Sequence, residues 1–155
     1  MLGVLINDSA AQSFLAMAFA LALVGCGKER VALTPEFRGT LSAGGKPAAG
    51  AEVLIGFSGD HDRPCDGLPV AAVVDAGGHF SAPAKTTRMS KRERAAIPFG
   101  TFQNYVCFRY KDEVLISSMF LTSPDETDTY TGTCVTPHIS TGYDDHMCQW
   151  RREHA

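Results

Sequence analysis

The sequence predicts an all-β fold, a small antiparallel β-sandwich of about seven strands, and three observations carry that reading. Segments of apolar/polar alternation recur along the chain, turn residues separate them, and a single short stretch has a helix signature. With 155 residues, 45% of them hydrophobic and 20% charged, the chain is large enough for one domain with a proper core. It shows no low-complexity tract and no internal repeat.

The first element is an apolar run from Phe14 to Val24, about a dozen residues long with Ser13. A bilayer span needs about 20 residues, so this length fits the hydrophobic region of a signal peptide, and Gly25-Cys26-Gly27 supplies the small residues of a cleavage point. Leu23-Val24-Gly25-Cys26 resembles the bacterial lipobox, whose cysteine receives a diacylglycerol and becomes the mature N-terminus. The resemblance implies a signal peptide over residues 1–25, a membrane tether over 26–36 and a sandwich domain over 37–155, with Cys26 lipidated. Met1 to Gln12 departs from the signal-peptide pattern, because it has no Lys or Arg and includes Asp8. Gly27, where inner-membrane retention favours Asp, resembles lipoproteins of the outer membrane. That implies a periplasm-facing location there, with the inner membrane as the alternative. A tether of nine residues, Lys28 to Glu36, reaches about 30 Å.

The strands follow in order. Phe37 to Leu41 begins the alternation, and Ala43 to Gly50 is a turn-rich connection. Ala51 to Phe57 is the second strand, Asp60 to Pro69 a polar loop, and Val70–Asp75 and His79–Ala82 flank Ala76-Gly77-Gly78 as a hairpin. A basic stretch then places Lys85, Arg88, Lys91, Arg92 and Arg94 within ten residues. Ser90 to Ala96 reads as a short exposed helix or ordered loop, with Ser90 and Glu93 spaced for a capping box. Tyr105–Tyr110, Glu113–Leu121 and Thr129–Val135 complete the strands, with turns at Lys111-Asp112 and Ser123 to Glu126.

Lipidation of Cys26 leaves four of the five cysteines, Cys65, Cys107, Cys134 and Cys148. An even number in an oxidising compartment reads as two disulfides, with three connectivities open. None has the spacing of a zinc ribbon or a thioredoxin-like site.

Gly39-Thr40-Leu41, the run Gly45-Lys46-Pro47-Ala48-Ala49-Gly50-Ala51-Glu52-Val53 and Asp75-Ala76-Gly77-Gly78-His79-Phe80 resemble carboxypeptidase-regulatory-like, transthyretin-like (prealbumin-like) domains. The resemblance implies a sandwich and no particular activity. Two related enzyme families depart from this sequence. Hydroxyisourate hydrolases end in Tyr-Arg-Gly-Ser, whereas this chain ends Arg151-Arg152-Glu153-His154-Ala155. Intradiol dioxygenases hold iron with two Tyr and two His, a spacing that Tyr105, Tyr110, His138 and Tyr143 do not reproduce.

Imidazole and carboxylate cluster at Asp60-His61-Asp62 and Asp144-Asp145-His146, each near a cysteine. Were Cys65 joined to Cys148, His61, Asp62, Asp145 and His146 would meet and suit a divalent metal such as zinc. Solvated loop residues are the plainer reading, and no cofactor is expected. Ser117 and Ser118 have no evident partner base in sequence, and no nucleophile elbow, phosphate loop or zinc-protease motif occurs. Trp150, beside Cys148, is expected in the core. A net charge of −3 and a pI of 5.9 argue against nucleic acid as a partner. The expected function is therefore a non-catalytic envelope accessory or adaptor that binds a protein through loops and strand edges. Its alternative is a periplasmic lipoprotein binding a small ligand, metal or carbohydrate. The basic run from Lys85 to Arg94 suits anionic lipid headgroups or an acidic protein, and a solvated face is the plainer reading.

Overall fold

The computed structural model describes residues 27–58, 62–124, 127–136 and 147–154. The chain is all-β, with eleven strands and one short helix among these residues. Strand β1 is Glu29–Thr34, β2 Glu36–Ala43, β3 Lys46–Pro47, β4 Glu52–Phe57, β5 Val70–Val73 and β6 His79–Ala82. Then follow β7 Lys85–Met89, α1 Lys91–Ala95, a 3₁₀ turn at Pro98–Gly100, β8 Phe102–Tyr110, β9 Glu113–Thr122, β10 Thr129–Thr136 and β11 Cys148–Glu153.

Two sheets face each other across the core. One runs β5-β4-β8-β9 and the other β11-β10-β2-β3, with β6 also paired to β2. Every pairing is antiparallel except that of β2 with β10, which run parallel with Phe37 opposite Tyr130. Alternation explains the layering: Phe37 and Leu41 of β2 point inward with Phe80, Ala82, Tyr130 and Cys134, and meet Val53, Ile55, Val106 and Phe108 of the other sheet. Aromatic rings tie the layers, Phe37 lying edge-on to Phe120 at 5.0 Å and to Trp150 at 5.6 Å between centroids. Trp150 is thus packed against the core, as its sequence position suggests.

The expected strands are all present, but four were not legible. Residues 29–34, expected within the tether, form β1, which pairs with β7 in a separate two-stranded ribbon; Val31 is buried there. Of residues 26–36, expected to form a tether, only Gly27 and Lys28 among the described residues precede the first strand. β3 lies inside what reads as a turn, β7 inside the basic stretch, and β11 in the C-terminal tail.

The expected hairpin of Val70–Asp75 with His79–Ala82 is not formed, because β5 pairs with β4 and β6 with β2, and the turn between them carries the chain from one sheet to the other. The Asp75 carboxylate accepts hydrogen bonds from the backbone N–H groups of Gly77 and His79, both at 2.8 Å, while Gly78 takes a positive φ of 85°. Those donors hold the Asp75 carboxyl below its usual range, the His79 N–H contributing most.

Candidate functional site

An apolar cleft of about 710 Å³ lies where β1, β4, β8 and β9 meet the segment leading out of α1. Leu33, Phe57, Ile97, Phe99, Phe102 and Leu121 supply its greasy surface. Three of these stand out into solvent: Phe99 is fully exposed, Phe57 is 66% exposed and Leu121 62%. At the cleft floor the buried Asn104 is fixed by donating to Leu33 O at 3.0 Å and Thr122 Oγ1 at 2.7 Å. Its amide nitrogen is thereby satisfied within the wall.

Phe99 is held out by its backbone. It adopts φ 54° and ψ 13° between Pro98 and Gly100, and the turn is closed by Gly100 N–H to Ile97 O at 3.0 Å and Thr101 N–H to Pro98 O at 3.2 Å. A bulky aromatic in the left-handed region is a costly placement, which the surrounding turn imposes.

Helix α1 leads into that turn, and it is solvated all round, with no buried residue. The capping box is formed: Glu93 N–H donates to Ser90 Oγ at 3.2 Å, and Ser90 N–H to Glu93 Oε2 at 2.7 Å. Backbone donation from Ser90 is the main cause that keeps the Glu93 carboxyl below its usual range. Arg94 Nη1 lies 3.3 Å from Glu29 Oε2, while Lys91 and Arg92 are exposed. At the same end of the β1–β7 ribbon, Arg30 stands directly opposite Arg88. Like charges in register across an antiparallel pair repel.

A third feature is an edge. β9 is the outer strand of its sheet, and no strand among the described residues pairs with its far side. It is ten residues long and carries one charge, Glu113, with Val114, Met119 and Leu121 exposed. Its pairing with β8 is interrupted once, since Val106 faces Ser118 while Cys107 faces Ile116, leaving Ser117 as the extra residue of a bulge. Ser117 is buried and its Oγ has no hydrogen-bond partner among the described residues. Ser118 Oγ donates to the Ser117 carbonyl at 2.6 Å.

The cysteines pair as Cys65–Cys107 and Cys134–Cys148. The first fastens the 62–69 loop onto the outer face of β4 and β8, where Leu54, Leu68 and Tyr105 form a second small core. The second joins β10 to β11 directly across the ladder. This connectivity overturns the Cys65–Cys148 pairing on which the metal reading depended. Of its residues, Asp62 is on the surface of the 62–69 loop, while His61, Asp145 and His146 lie outside the described residues, as do Cys26, His138 and Tyr143. Among the described residues no three His, Cys, Asp or Glu side chains gather in a metal-binding arrangement.

One polar cluster escaped sequence reading. Buried Asp128 accepts a hydrogen bond from Arg152 Nε and lies 3.2 Å from His154 Nδ1. The guanidinium is the main cause that holds its carboxyl below the usual range. A structural clasp for the C-terminal strand is what this arrangement provides.

No protein-family model matches the chain, and comparison with curated proteins and with solved structures found no match.

Proposed function

We propose that this protein is a non-catalytic envelope lipoprotein, anchored through Cys26, whose sandwich binds an extended segment of another envelope protein along the free edge of β9. The observation that carries the reading is the edge itself. Sheet proteins protect exposed edges with Lys, Pro, short strands or covering loops, and β9 has ten residues, one charge and three exposed apolar side chains. Backbone donors and acceptors on such an edge add a strand from a partner, and alternate side chains set the specificity. The bulge at Ser117 divides the edge, leaving Ser118 to Thr122 as the regular half beside β8. The transthyretin-like resemblance of residues 37–80 is in keeping with a binding module. The lipobox resemblance supplies the address.

The test is a photo-reactive residue at Met119 of the full chain, irradiated in cells. A discrete crosslinked adduct is expected, reduced when Cys26→Ala removes the anchor or when Leu121→Lys places a charge at the edge. Absence of an adduct from Met119, together with unchanged behaviour of the Leu121→Lys variant, would overturn the edge as the binding surface.

A further inference from the structure

The cleft mouth, α1 and the start of β1 belong to one end of the molecule. Glu29 pairs with Met89, two residues before α1, and Glu29, Lys91, Arg94 and Gly100 line one shallow depression. Gly100 follows Phe99, whose ring projects fully into solvent beside Phe57 and Leu121 on the cleft rim. This end thus combines an apolar tip with Lys91 and Arg92 of an exposed basic helix. Only Gly27 and Lys28 separate it from Cys26, a reach of about 10 Å.

We propose that this end rests on an anionic phospholipid surface, with the Phe99 ring in the interfacial layer and Lys91 and Arg92 on the phosphates. The inference builds on the lipidation of Cys26 and adds an orientation to it. Three physical arguments converge. Aromatic rings favour the headgroup boundary, and basic side chains beside them add electrostatic attraction to anionic lipid. Among the described residues at this end, Glu29 is paired with Arg94, and Lys28, Arg30, Arg88, Lys91 and Arg92 outnumber the remaining carboxylate of Glu93, so positive charge is in excess. Arg30 and Arg88, opposed at the same end of the ribbon, extend this positive surface, with Arg30 Nε donating to Thr86 Oγ1 at 3.0 Å.

The experiment uses the full chain with Phe99→Trp and vesicles of phosphatidylcholine alone or mixed with phosphatidylglycerol, with bromine on the acyl chains. Trp150 is packed within the sandwich, so wild-type emission serves as the unquenched reference. Emission from position 99 is expected to shift to shorter wavelength and to be quenched on the mixed vesicles. Adding Lys91→Gln and Arg92→Gln is expected to weaken apparent vesicle affinity on the order of 25-fold, about fivefold for each cation. Unquenched emission from position 99 on mixed vesicles would overturn the proposal. Incorporation of labelled palmitate through Cys26 is scored separately. Label with no quenching sinks the footprint alone, whereas quenching without label keeps the footprint and removes the anchor.

Discussion

The indole of Trp150 occupies the space that a side chain on Gly132 would need. The two residues face each other across β10 and β11, and a Cβ on Gly132 would come within 2.5 Å of the ring. On the other side, a Cβ on Gly39 of β2 would overlap the Gly132 carbonyl oxygen. Three strands are thus brought together with two glycines and one large aromatic in place of three ordinary side chains.

Gly132→Ala is expected to destabilise the protein by about 1–3 kcal/mol, since the ring is wedged against Phe37 and Phe120 and has little room to retreat. Denaturant unfolding followed by far-ultraviolet circular dichroism measures this in either background. The cost should shrink when Trp150→Leu is present, and equal costs in the two backgrounds would refute the steric account.

Removing the Cys65–Cys107 bond by a double substitution to Ser is expected to lower stability by about 2–4 kcal/mol. The bond spans 42 residues of sequence and fixes the loop that covers Leu54 and Tyr105. Increased hydrogen exchange confined to the 62–69 loop and its strands is the accompanying signature, and uniform loss across both sheets would contradict it.

Phe99→Gly is expected to raise stability by about 1 kcal/mol, because glycine accepts φ 54° without steric cost. A thermal midpoint a few degrees higher would show it. A lower midpoint would mean that the exposed ring contributes packing that its full solvent exposure does not suggest.

Acid should weaken the fold. Asp75 and Asp128 are held below 3.8, and Glu93 and Glu153 below 4.5, by backbone donors or by Arg152 and Arg38. A depressed folded-state pKa means that the folded carboxylates bind protons less readily than the unfolded ones. Their stabilisation is present above the unfolded values, begins to fall as pH drops below about 4.5, and is lost through the lower folded values. The thermal midpoint is expected to fall between pH 5 and pH 3, less so in Asp75→Asn with Asp128→Asn. A flat profile in the wild-type chain would exclude this linkage.

How much of this could be read from residues alone depended on which forces shaped each element. Phe37–Leu41, Ala51–Phe57 and Tyr105–Tyr110 alternate because one side faces a core, and such periodicity survives in sequence. β1 and β7 pair mainly with each other, bury only Val31 and Thr34 and carry Arg30, Lys85 and Arg88, so their composition resembles a solvated tail. The parity of the cysteines was informative while their partners were not, since Cys107 and Cys65 meet only through the folding of a loop onto β8. Ser90 and Glu93 were legible because a capping box is local. The cleft was not, because Leu33, Phe57, Phe99 and Leu121 come from four separated segments. Phe99 carries a sequence hint only in its Pro98 and Gly100 neighbours.

The parallel pairing of β2 with β10 has a consequence for assembly. Phe37 finds its neighbour Tyr130 only after nearly the whole intervening chain has been placed, and contacts of such sequence separation close late and slowly. During synthesis from the N-terminus, β2 can pair early with β3 and β6 on one side but must wait for β10 on the other. One flank of β2 thus stays open until β10 emerges, and closure of the principal sheet is among the last events in the making of the fold.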